Sequence, residues 1–143
     1  MNPIFSQEAP LPIGPYSQAI EAGGVIYCSG AIGINPETSA LVDGGVEEQT
    51  VQALKNLQAI LVAAGSGLKN VIRTTVMLRD MADFAAFNLV YEKIMTEAKG
   101  SDSPMPARTT FAVAGLPKNA LVEIDCIAQQ VVRQRPKAAK EGV

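Results

Sequence analysis

The clearest periodicity in the chain runs from Val46 to Ala64, where apolar residues recur every three or four positions. Charged and amide side chains, such as that of Lys55, occupy the positions between them. Gly65 follows directly, and glycine is the residue that most often ends a helix. The pattern therefore predicts an amphipathic helix over residues 46–64.

A second apolar stripe at helical spacing extends from Phe84 to Met95. Asp80 stands shortly before it, and an aspartate oxygen can accept a hydrogen bond from the free N–H groups at the start of a helix. We therefore predict a second helix, capped by Asp80 and ending near Ala98. The residues that follow, 99–106, are rich in Gly, Ser and Pro, which predicts a loop.

Shorter apolar runs rich in Val, Ile and Thr predict strands. They cover residues 17–20, 25–29, 70–78, 109–113 and 121–132. Glu21–Gly24 predicts a tight turn between the first two strands, and residues 35–39 predict a loop. Leu116–Asn119 predicts the turn that joins the last two strands, most simply as a hairpin.

The predicted order of elements is β-β-α-β-α-β-β in a single domain spanning residues 1–143, with a flexible tail over residues 133–143. A chain of 143 residues, with 48% hydrophobic and 18% charged residues, is long enough and apolar enough to bury a core. Two amphipathic helices can bury their apolar stripes only against one face of the sheet. The predicted fold class is therefore α+β.

The last strand predicts what covers the other face of the sheet. Glu123 and Asp125 alternate with apolar residues, and successive residues of a strand point to opposite faces. The face that carries Glu123 also carries Leu121, Ile127 and Val131. An apolar face with no helix left to cover it predicts self-association, with Glu123 at or near a subunit interface.

Composition narrows the range of partners. A formal net charge of −2 disfavours a nucleic-acid partner, because such binding rests on basic surface that neutralises phosphates. No apolar run approaches the roughly 20 residues of a membrane span. The first residues, Met1–Phe5, lack the basic start and apolar core of a signal peptide. We therefore expect a cytoplasmic protein without a nucleic-acid or membrane partner.

The sequence contains no histidine. This excludes Ser-His-Asp and Cys-His nucleophilic systems and His-ligated metal sites. The two cysteines, Cys28 and Cys126, are too few for a thiolate zinc site and lie in apolar runs, where we expect buried free thiols. Catalysis would then rest on Arg, Lys, Tyr, carboxylate, amide and hydroxyl groups, whose acid–base help of about 10²–10⁴-fold suits an already reactive substrate.

Arg108 and Glu123 are the strongest candidates for chemistry. A guanidinium binds a carboxylate in bidentate geometry, and a carboxylate in an apolar strand can have a raised pKa that suits proton transfer. Together they would hold a small acid and process it with water. The residues alone leave two alternatives open. One is a hairpin with a surface Arg and a solvent-facing Glu, and the other is a structural ion pair of Arg108 with Asp125 or another carboxylate.

Several short motifs follow one another along the chain. They are Gly14–Ala19 (GPYSQA), Cys28–Gly30 (CSG), Asp80–Phe84 (DMADF), Phe87–Asn88 with Tyr91–Glu92, and the segment from Pro106 to Asp125. Each motif is short, and the weight of the comparison comes from their common order. Over nearly its whole length the chain resembles the RidA family, also called YjgF/YER057c/UK114.

The resemblance implies a chorismate-mutase-like α+β protomer with a mixed sheet, assembled as a homotrimer with its sites in the clefts between subunits. It also implies a deaminase without cofactor or metal that hydrolyses reactive 2-imino acids and enamines. The substrates would be 2-aminoacrylate, 2-iminopropanoate and 2-iminobutanoate, and the products the 2-oxo acid and ammonia. Because an imine is already electrophilic, positioning and one carboxylate suit this chemistry.

The same resemblance assigns roles to individual residues. Arg108 would hold the substrate carboxylate, and Glu123 would activate the attacking water and manage protons on the imine nitrogen. The other family positions would complete the site, partly through backbone N–H groups; they are Tyr16, Ser29, Gly30, Asn88 and Thr110. Structural roles stay open for a packing aromatic at Tyr16, a polar helix residue at Asn88 and a strand-end bend at Ser29.

Three features depart from the family pattern. Ala31 stands where many members carry a polar side chain, and Thr110 stands where a cysteine is frequent. The loop over residues 99–105 is a few residues longer than usual and lies just before Arg108. Because this loop would form part of the rim of the cleft, it bears on substrate preference.

Other functions also remain open. Arg108 alone would suffice for a non-catalytic module that binds 2-oxo acids or related small carboxylates. An endoribonuclease or translation-inhibitor activity is also reported within the family, but the acidic balance and the 5% aromatic content disfavour RNA binding. A chaperone-like role has no discriminating feature in the sequence.

Overall fold

The computed structural model describes residues 1–131 of the chain. The predicted tail over residues 133–143, and Val132 at the end of the last predicted strand, lie outside these residues. The strands and helices of the described part are β1 (Asn2–Ile4), β2 (Ala19–Ala22), β3 (Val25–Ala31), β4 (Ile34–Asn35), β5 (Ala40–Leu41), α1 (Val46–Ala63), β6 (Val71–Leu78), α2 (Phe84–Lys99), β7 (Ala107–Ala112) and β8 (Val122–Gln129). Short 3-10 turns cover Leu68–Asn70, Met81–Asp83 and Pro117–Asn119.

Six of the strands form one sheet in the order β1-β2-β3-β8-β6-β7, and β4 pairs with β5 as a separate ribbon. β6 and β7 run parallel, while the other neighbours in the sheet run antiparallel. α1 and α2 pack against each other and bury their apolar stripes on one face of this sheet. The predicted α+β class and mixed sheet are confirmed.

The predicted hairpin between the last two strands is wrong. β6 lies between β7 and β8, so the turn at Pro117–Asn119 carries the chain past β6 rather than back along β7. The physical reason is the crossover through α2, which returns the chain parallel to β6 and places β7 at the edge of the sheet. This order separates Arg108, on β7, from Glu123, on β8.

The alternation predicted for β8 is confirmed. Its buried side chains, which face the helices, are Val122, Ile124, Cys126 and Ala128. Cys126 lies directly opposite Cys28 of β3, and both are buried free thiols, as expected. A hydrogen bond to Cys28 and burial raise the pKa of the Cys126 thiol. The pair is therefore part of the core, with little thiolate at neutral pH.

The predicted helices are found with one correction. α1 begins at Val46 as predicted and ends one residue before Ala64. Asp80, however, does not cap α2: its carboxylate accepts a hydrogen bond of 2.8 Å from the Ala82 N–H and starts the 3-10 turn Met81–Asp83. The short reach of an aspartate to the second residue after it favours such a tight turn, and α2 follows only from Phe84.

The N-terminal hairpin is tighter than predicted. Ala22 pairs with Val25, so that the turn consists of Gly23 and Gly24 alone, with φ of 59° and 80°. Two successive left-handed residues suit glycine and form the turn type that matches the twist of antiparallel strands. β2 therefore extends to Ala22, two residues beyond the prediction. β1, β4 and β5 were not predicted, because runs of two or three residues carry no periodicity.

Candidate functional site

Arg108 lies on the edge strand β7 with its side chain against α2. Its guanidinium carbon lies 5.0 Å from the ring centre of Tyr91, 5.5 Å from that of Phe87 and 5.8 Å from that of Phe84. We refer to these three rings as the Arg108 cage. A guanidinium over an aromatic face gains about 0.5–2 kcal/mol, depending on how far it is desolvated. The cage therefore holds the guanidinium of Arg108 against α2.

Asn88 adds a polar contact to the cage. Its side-chain oxygen accepts a hydrogen bond of 2.8 Å from Nη2 of Arg108. Asn88 and the three rings reach the same side chain because helix positions three and four residues apart share one face. Within residues 1–131, Asn88 is the only hydrogen-bond partner of the Arg108 side chain, so most of its five N–H groups remain free for a ligand.

Tyr91, the nearest ring of the cage, is also held at its far end. Its hydroxyl lies 2.8 Å from Oγ1 of Thr74, and both residues are buried. Thr74 is the residue of β6 that pairs with Arg108 in the sheet. Burial raises the pKa of the Tyr91 phenol, which therefore stays neutral at physiological pH.

Thr110 follows Arg108 on the same face of β7. It pairs with Val76, whose side chain is fully buried in the core. The Thr110 hydroxyl is buried as well and has no hydrogen-bond partner among residues 1–131. An unsatisfied buried hydroxyl costs about 1–3 kcal/mol. Thr110 thus lies beside Arg108, with its side chain turned into the protein rather than into an open cleft.

Glu123 lies on the other face of the sheet, beside a bulge in β3. The pairing of β3 with β8 shifts between Cys28 and Ala31, and Gly30 lies within this irregularity. A Cβ atom at Gly30 would overlap the carboxylate of Glu123. The approach of the β3 backbone to this carboxylate therefore requires glycine.

The surroundings of Glu123 change its acidity. Burial raises the pKa of its carboxyl above the ordinary value of 4.5, and the negative charge of Asp125 raises it further. Both effects disfavour the ionised form. A carboxyl with a raised pKa is better matched to proton transfer near neutral pH than an exposed one.

A pocket opens beside Glu123. Its walls come from the proline-rich segment over residues 10–13, the end of β3 and Pro117. Tyr16, Ser29 and Gly30 also line it. Asn56 and Ile60 of α1 line it too, so the pocket lies between the end of β3 and this helix. The structure therefore brings together four of the predicted site residues at this pocket.

Tyr16 and Ser29 make local hydrogen bonds at this pocket. The Tyr16 hydroxyl accepts one of 3.2 Å from the N–H of Ile13, and the Ser29 hydroxyl donates one of 2.6 Å to the carbonyl of Ser17. The first bond lies within the loop before β2, and the second ties this loop to β3. The Ser29 hydroxyl is therefore engaged with the backbone.

One chain does not unite the two halves of the predicted site. Arg108, Asn88 and Thr110 lie together on the side of the sheet that faces the helices. Glu123 alternates with the buried residues of β8 and so faces the opposite side. The same geometry makes the alternative of an ion pair between Arg108 and Asp125 wrong, since Asp125 shares the face of Glu123.

The family model described as Endoribonuclease L-PSP matches residues 6–130 of the chain. The chain belongs to this family. Two of its relatives are named as a reactive intermediate deaminase and a 2-iminobutanoate/2-iminopropanoate deaminase. The assignment to the RidA family is confirmed.

Three proteins illustrate how similar the family members are. Reactive Intermediate Deaminase A, chloroplastic, from Arabidopsis thaliana is 46% identical over 87% of this chain, and the match spans 64% of the length of that relative. The mouse 2-iminobutanoate/2-iminopropanoate deaminase is 48% identical over 89% of this chain and 90% of its own length. E. coli TdcF, whose crystal structure was determined with bound serine, is 36% identical in sequence. Its structure matches this one with a TM-score of 0.85, covering 92% of this chain and 100% of that chain.

Residues that fix the pocket of this family member were missed in the sequence. The buried Gln18 side chain bonds to both the N–H and the carbonyl of Ser6, at 2.7 and 3.1 Å, and to the carbonyl of Pro10 at 2.9 Å. The buried Asn56 of α1 donates to the carbonyls of Ile32 and Ile34, at 3.1 and 2.8 Å. A polar residue at a buried position of an apolar stripe was the available signal for Asn56.

The cage residues were also missed as a functional group, because Phe84, Phe87 and Tyr91 were interpreted as the apolar stripe of α2. Their spacing beside Asn88 was the available signal. In the described part of the chain, no group of three His, Cys, Asp or Glu side chains is arranged to hold a metal ion. No helix among the same residues is long and apolar enough to cross a membrane.

Proposed function

We propose that the chain is a cofactor-free hydrolytic deaminase of reactive 2-imino acids and enamines, among them 2-aminoacrylate, 2-iminopropanoate and 2-iminobutanoate. The observation that carries this proposal is Arg108, whose guanidinium is held by the cage and Asn88 while most of its N–H groups have no partner among residues 1–131. Such a fork suits a carboxylate in bidentate geometry. The bound serine of E. coli TdcF, a small amino acid, is a ligand of related chemistry.

Glu123 would supply the proton transfers. Water attacks the imine carbon, and its proton passes through the Glu123 carboxylate to the nitrogen. In the resulting carbinolamine the hydroxyl proton moves to the nitrogen by the same route, and the C–N bond breaks as the C=O bond forms, releasing ammonia and the 2-oxo acid. The raised pKa of Glu123 supports this role, because the same carboxyl must accept a proton and return it.

The separation of Arg108 from Glu123 supports a site shared between two copies of the chain. Each copy would contribute its Arg108 side to one site and its Glu123 side to another. Such head-to-tail contacts form a closed ring when the copies are related by rotational symmetry. We propose three copies, the number that the family resemblance implies. The open face carries exposed apolar side chains suited to such contact, including those of Tyr27 and Phe111.

A coupled assay tests the activity. A threonine or serine dehydratase generates the imine in solution, and release of the 2-oxo acid is followed with and without the protein. We expect acceleration by the wild type and its loss in Arg108→Ala, with the exposed Arg79→Ala as the matched control that stays active. A folded wild-type protein that gives no acceleration would contradict the proposal.

A mixing experiment tests the shared site. Arg108→Ala and Glu123→Gln proteins, each inactive alone, are combined under conditions in which subunits exchange. If each site takes Arg108 from one copy and Glu123 from its neighbour, about a quarter of the sites in a random mixture contain both native residues. No recovery in a mixture shown to have exchanged subunits would place both residues of a site on the same copy.

The alternative proposal is a module that binds small carboxylates without turnover. The Arg108 cage favours it, because carboxylate recognition needs only that half of the site. Binding of 2-oxobutanoate measured by calorimetry, together with no acceleration in the coupled assay, would support this alternative. Endoribonuclease activity, named in the family description, would be supported only by RNA cleavage that Arg108→Ala or Glu123→Gln removes.

A further inference from the structure

Arg108, Thr74 and Tyr91 are each in contact with the other two. Arg108 pairs with Thr74 across β6 and β7, Thr74 hydrogen-bonds the Tyr91 hydroxyl at 2.8 Å, and the Tyr91 ring faces the Arg108 guanidinium at 5.0 Å. Phe84 and Phe87 complete the cage but have no such polar tether. Tyr91 is therefore the ring whose position is fixed independently of the guanidinium it faces.

A long side chain on an edge strand needs such fixing. Arginine carries about 2 kcal/mol of rotamer entropy, and its fork recognises a carboxylate only in the right plane. The single hydrogen bond to Asn88 holds one corner of the guanidinium and leaves rotation about that corner possible. A ring 5.0 Å from the guanidinium carbon opposes this rotation, because turning the guanidinium would weaken the cation–π contact.

We propose that Tyr91, tethered by Thr74, is a positioning residue that holds the guanidinium of Arg108 in the plane required for a substrate carboxylate. The inference rests on the proposed function only for the identity of that carboxylate. The alternative is that Tyr91 and Thr74 are a hydrogen-bonded core pair, which would affect folding and leave ligand recognition unchanged.

Three variants distinguish a positioning role of Tyr91 from a purely structural one. Tyr91→Phe and Thr74→Val remove the tether and keep a ring or a similar volume, and Tyr91→Leu removes the ring. We expect the first two to raise the KM of the imino acid about fivefold and the third about thirtyfold, with kcat within twofold. Thr50→Val is the matched control, since it deletes a buried threonine hydroxyl that bonds only within α1.

A double-mutant cycle supplies the decisive comparison. In an Arg108→Ala background, Tyr91→Leu should change the dissociation constant of 2-oxobutanoate by less than twofold, because the group it positions is gone. Equal effects of Tyr91→Leu with and without Arg108 would overturn the proposal. So would a KM for Thr74→Val no different from that of Thr50→Val.

Nuclear magnetic resonance of the arginine side chains tests the positioning without any ligand. We expect slow rotation about the Cζ–Nε bond of Arg108 in the wild type and fast rotation in Tyr91→Leu. If the wild-type protein neither turns over imines nor binds 2-oxo acids, the proposed function fails while this measurement still decides the role of Tyr91. Fast rotation in the wild type would overturn the inference.

Discussion

The carboxylate of Glu123 occupies space that a side chain at position 30 would need. Glycine is often explained by its backbone freedom, but at Gly30 the decisive property is the missing Cβ atom. The β3 backbone at Gly30 thus leaves room for the carboxyl, while burial and the charge of Asp125 raise its pKa.

A methyl group at position 30 should remove activity and preserve the fold. In Gly30→Ala the new Cβ displaces the Glu123 carboxylate, and a displacement of about 1 Å in a reacting group costs about 10²-fold in rate. Gly115→Ala is the matched control, because nothing lies within 4 Å of a Cβ there. Activity in the coupled assay and thermal unfolding report the two effects. A fully active Gly30→Ala enzyme would contradict the role given to Gly30.

The raised pKa of Glu123 predicts a pH dependence of stability. The pKa of Glu123 is higher in the folded protein than the ordinary 4.5 of the unfolded chain, so the folded state binds more protons between these two pKa values. The free energy of unfolding should therefore fall as pH rises through the folded pKa. Glu123→Gln should lose this fall, and the exposed Glu92→Gln should keep it. Urea unfolding at fixed protein concentration between pH 4 and about 8 measures the difference; parallel curves for wild type and Glu123→Gln would contradict the prediction.

At the scale of elements, α2 shows what the sequence could and could not predict. The spacing of Phe84, Phe87 and Tyr91 predicted a helix and its buried face, both of which are observed. It could not predict that a cation from β7 would lie on that face, because apolar stripes record burial and not the identity of the neighbour. The order of the strands in the sheet was also missed, because strand pairing depends on the crossover between strands and not on the pattern within any one strand.

Lys99, at the end of α2, illustrates a polar residue that no pattern predicted. Its side chain is buried, which lowers the pKa of its ammonium group, and it donates to the carbonyls of Lys69 and Val71 at 3.0 and 2.8 Å. It thereby joins the helix to the turn that begins β6. A lysine in the last turn of a helix is common on the surface, so sequence gave no reason to expect burial.

Replacing this lysine should loosen the junction of α2 with β6. Lys99→Met fills similar space but leaves the two carbonyls without their donor, and we expect the free energy of unfolding to fall by about 2 kcal/mol. Lys93→Met, on the exposed side of the same helix, should change it by less than about 0.5 kcal/mol. Urea unfolding measures both. Equal stability of the two variants would show that the buried hydrogen bonds contribute little.

At the scale of the whole molecule, the open face of the sheet is the feature that one chain leaves incomplete. It carries Glu123, and it also carries Tyr27, which is 49% exposed despite lying in the middle of β3. Alternation in β8 predicted this face correctly from the sequence. How copies pack on it could not be predicted, because self-complementary shape is a property of the folded surface rather than of any segment.

A charge on the open face should prevent assembly without unfolding the chain. Tyr27→Asp places a carboxylate where we propose that another copy packs, and burial of an unpaired charge is strongly unfavourable. We expect light scattering to show monomers and the coupled assay to show no activity. Val62 is 58% exposed on the outer side of α1, and Val62→Asp is the matched control. This variant should stay assembled and active. An assembled, active Tyr27→Asp protein would contradict the use of this face.

Because β6 separates β7 from β8, we expect the specific activity to depend on the concentration of the protein. If the reaction needs Arg108 and Glu123 from different copies, a protomer separated by dilution stays folded but has no complete site. Specific activity would then follow mass action, falling as the protein is diluted below the dissociation constant of the assembly and recovering when it is concentrated. The amount of this protein in a compartment would set both how many chains are present and what fraction of them can react.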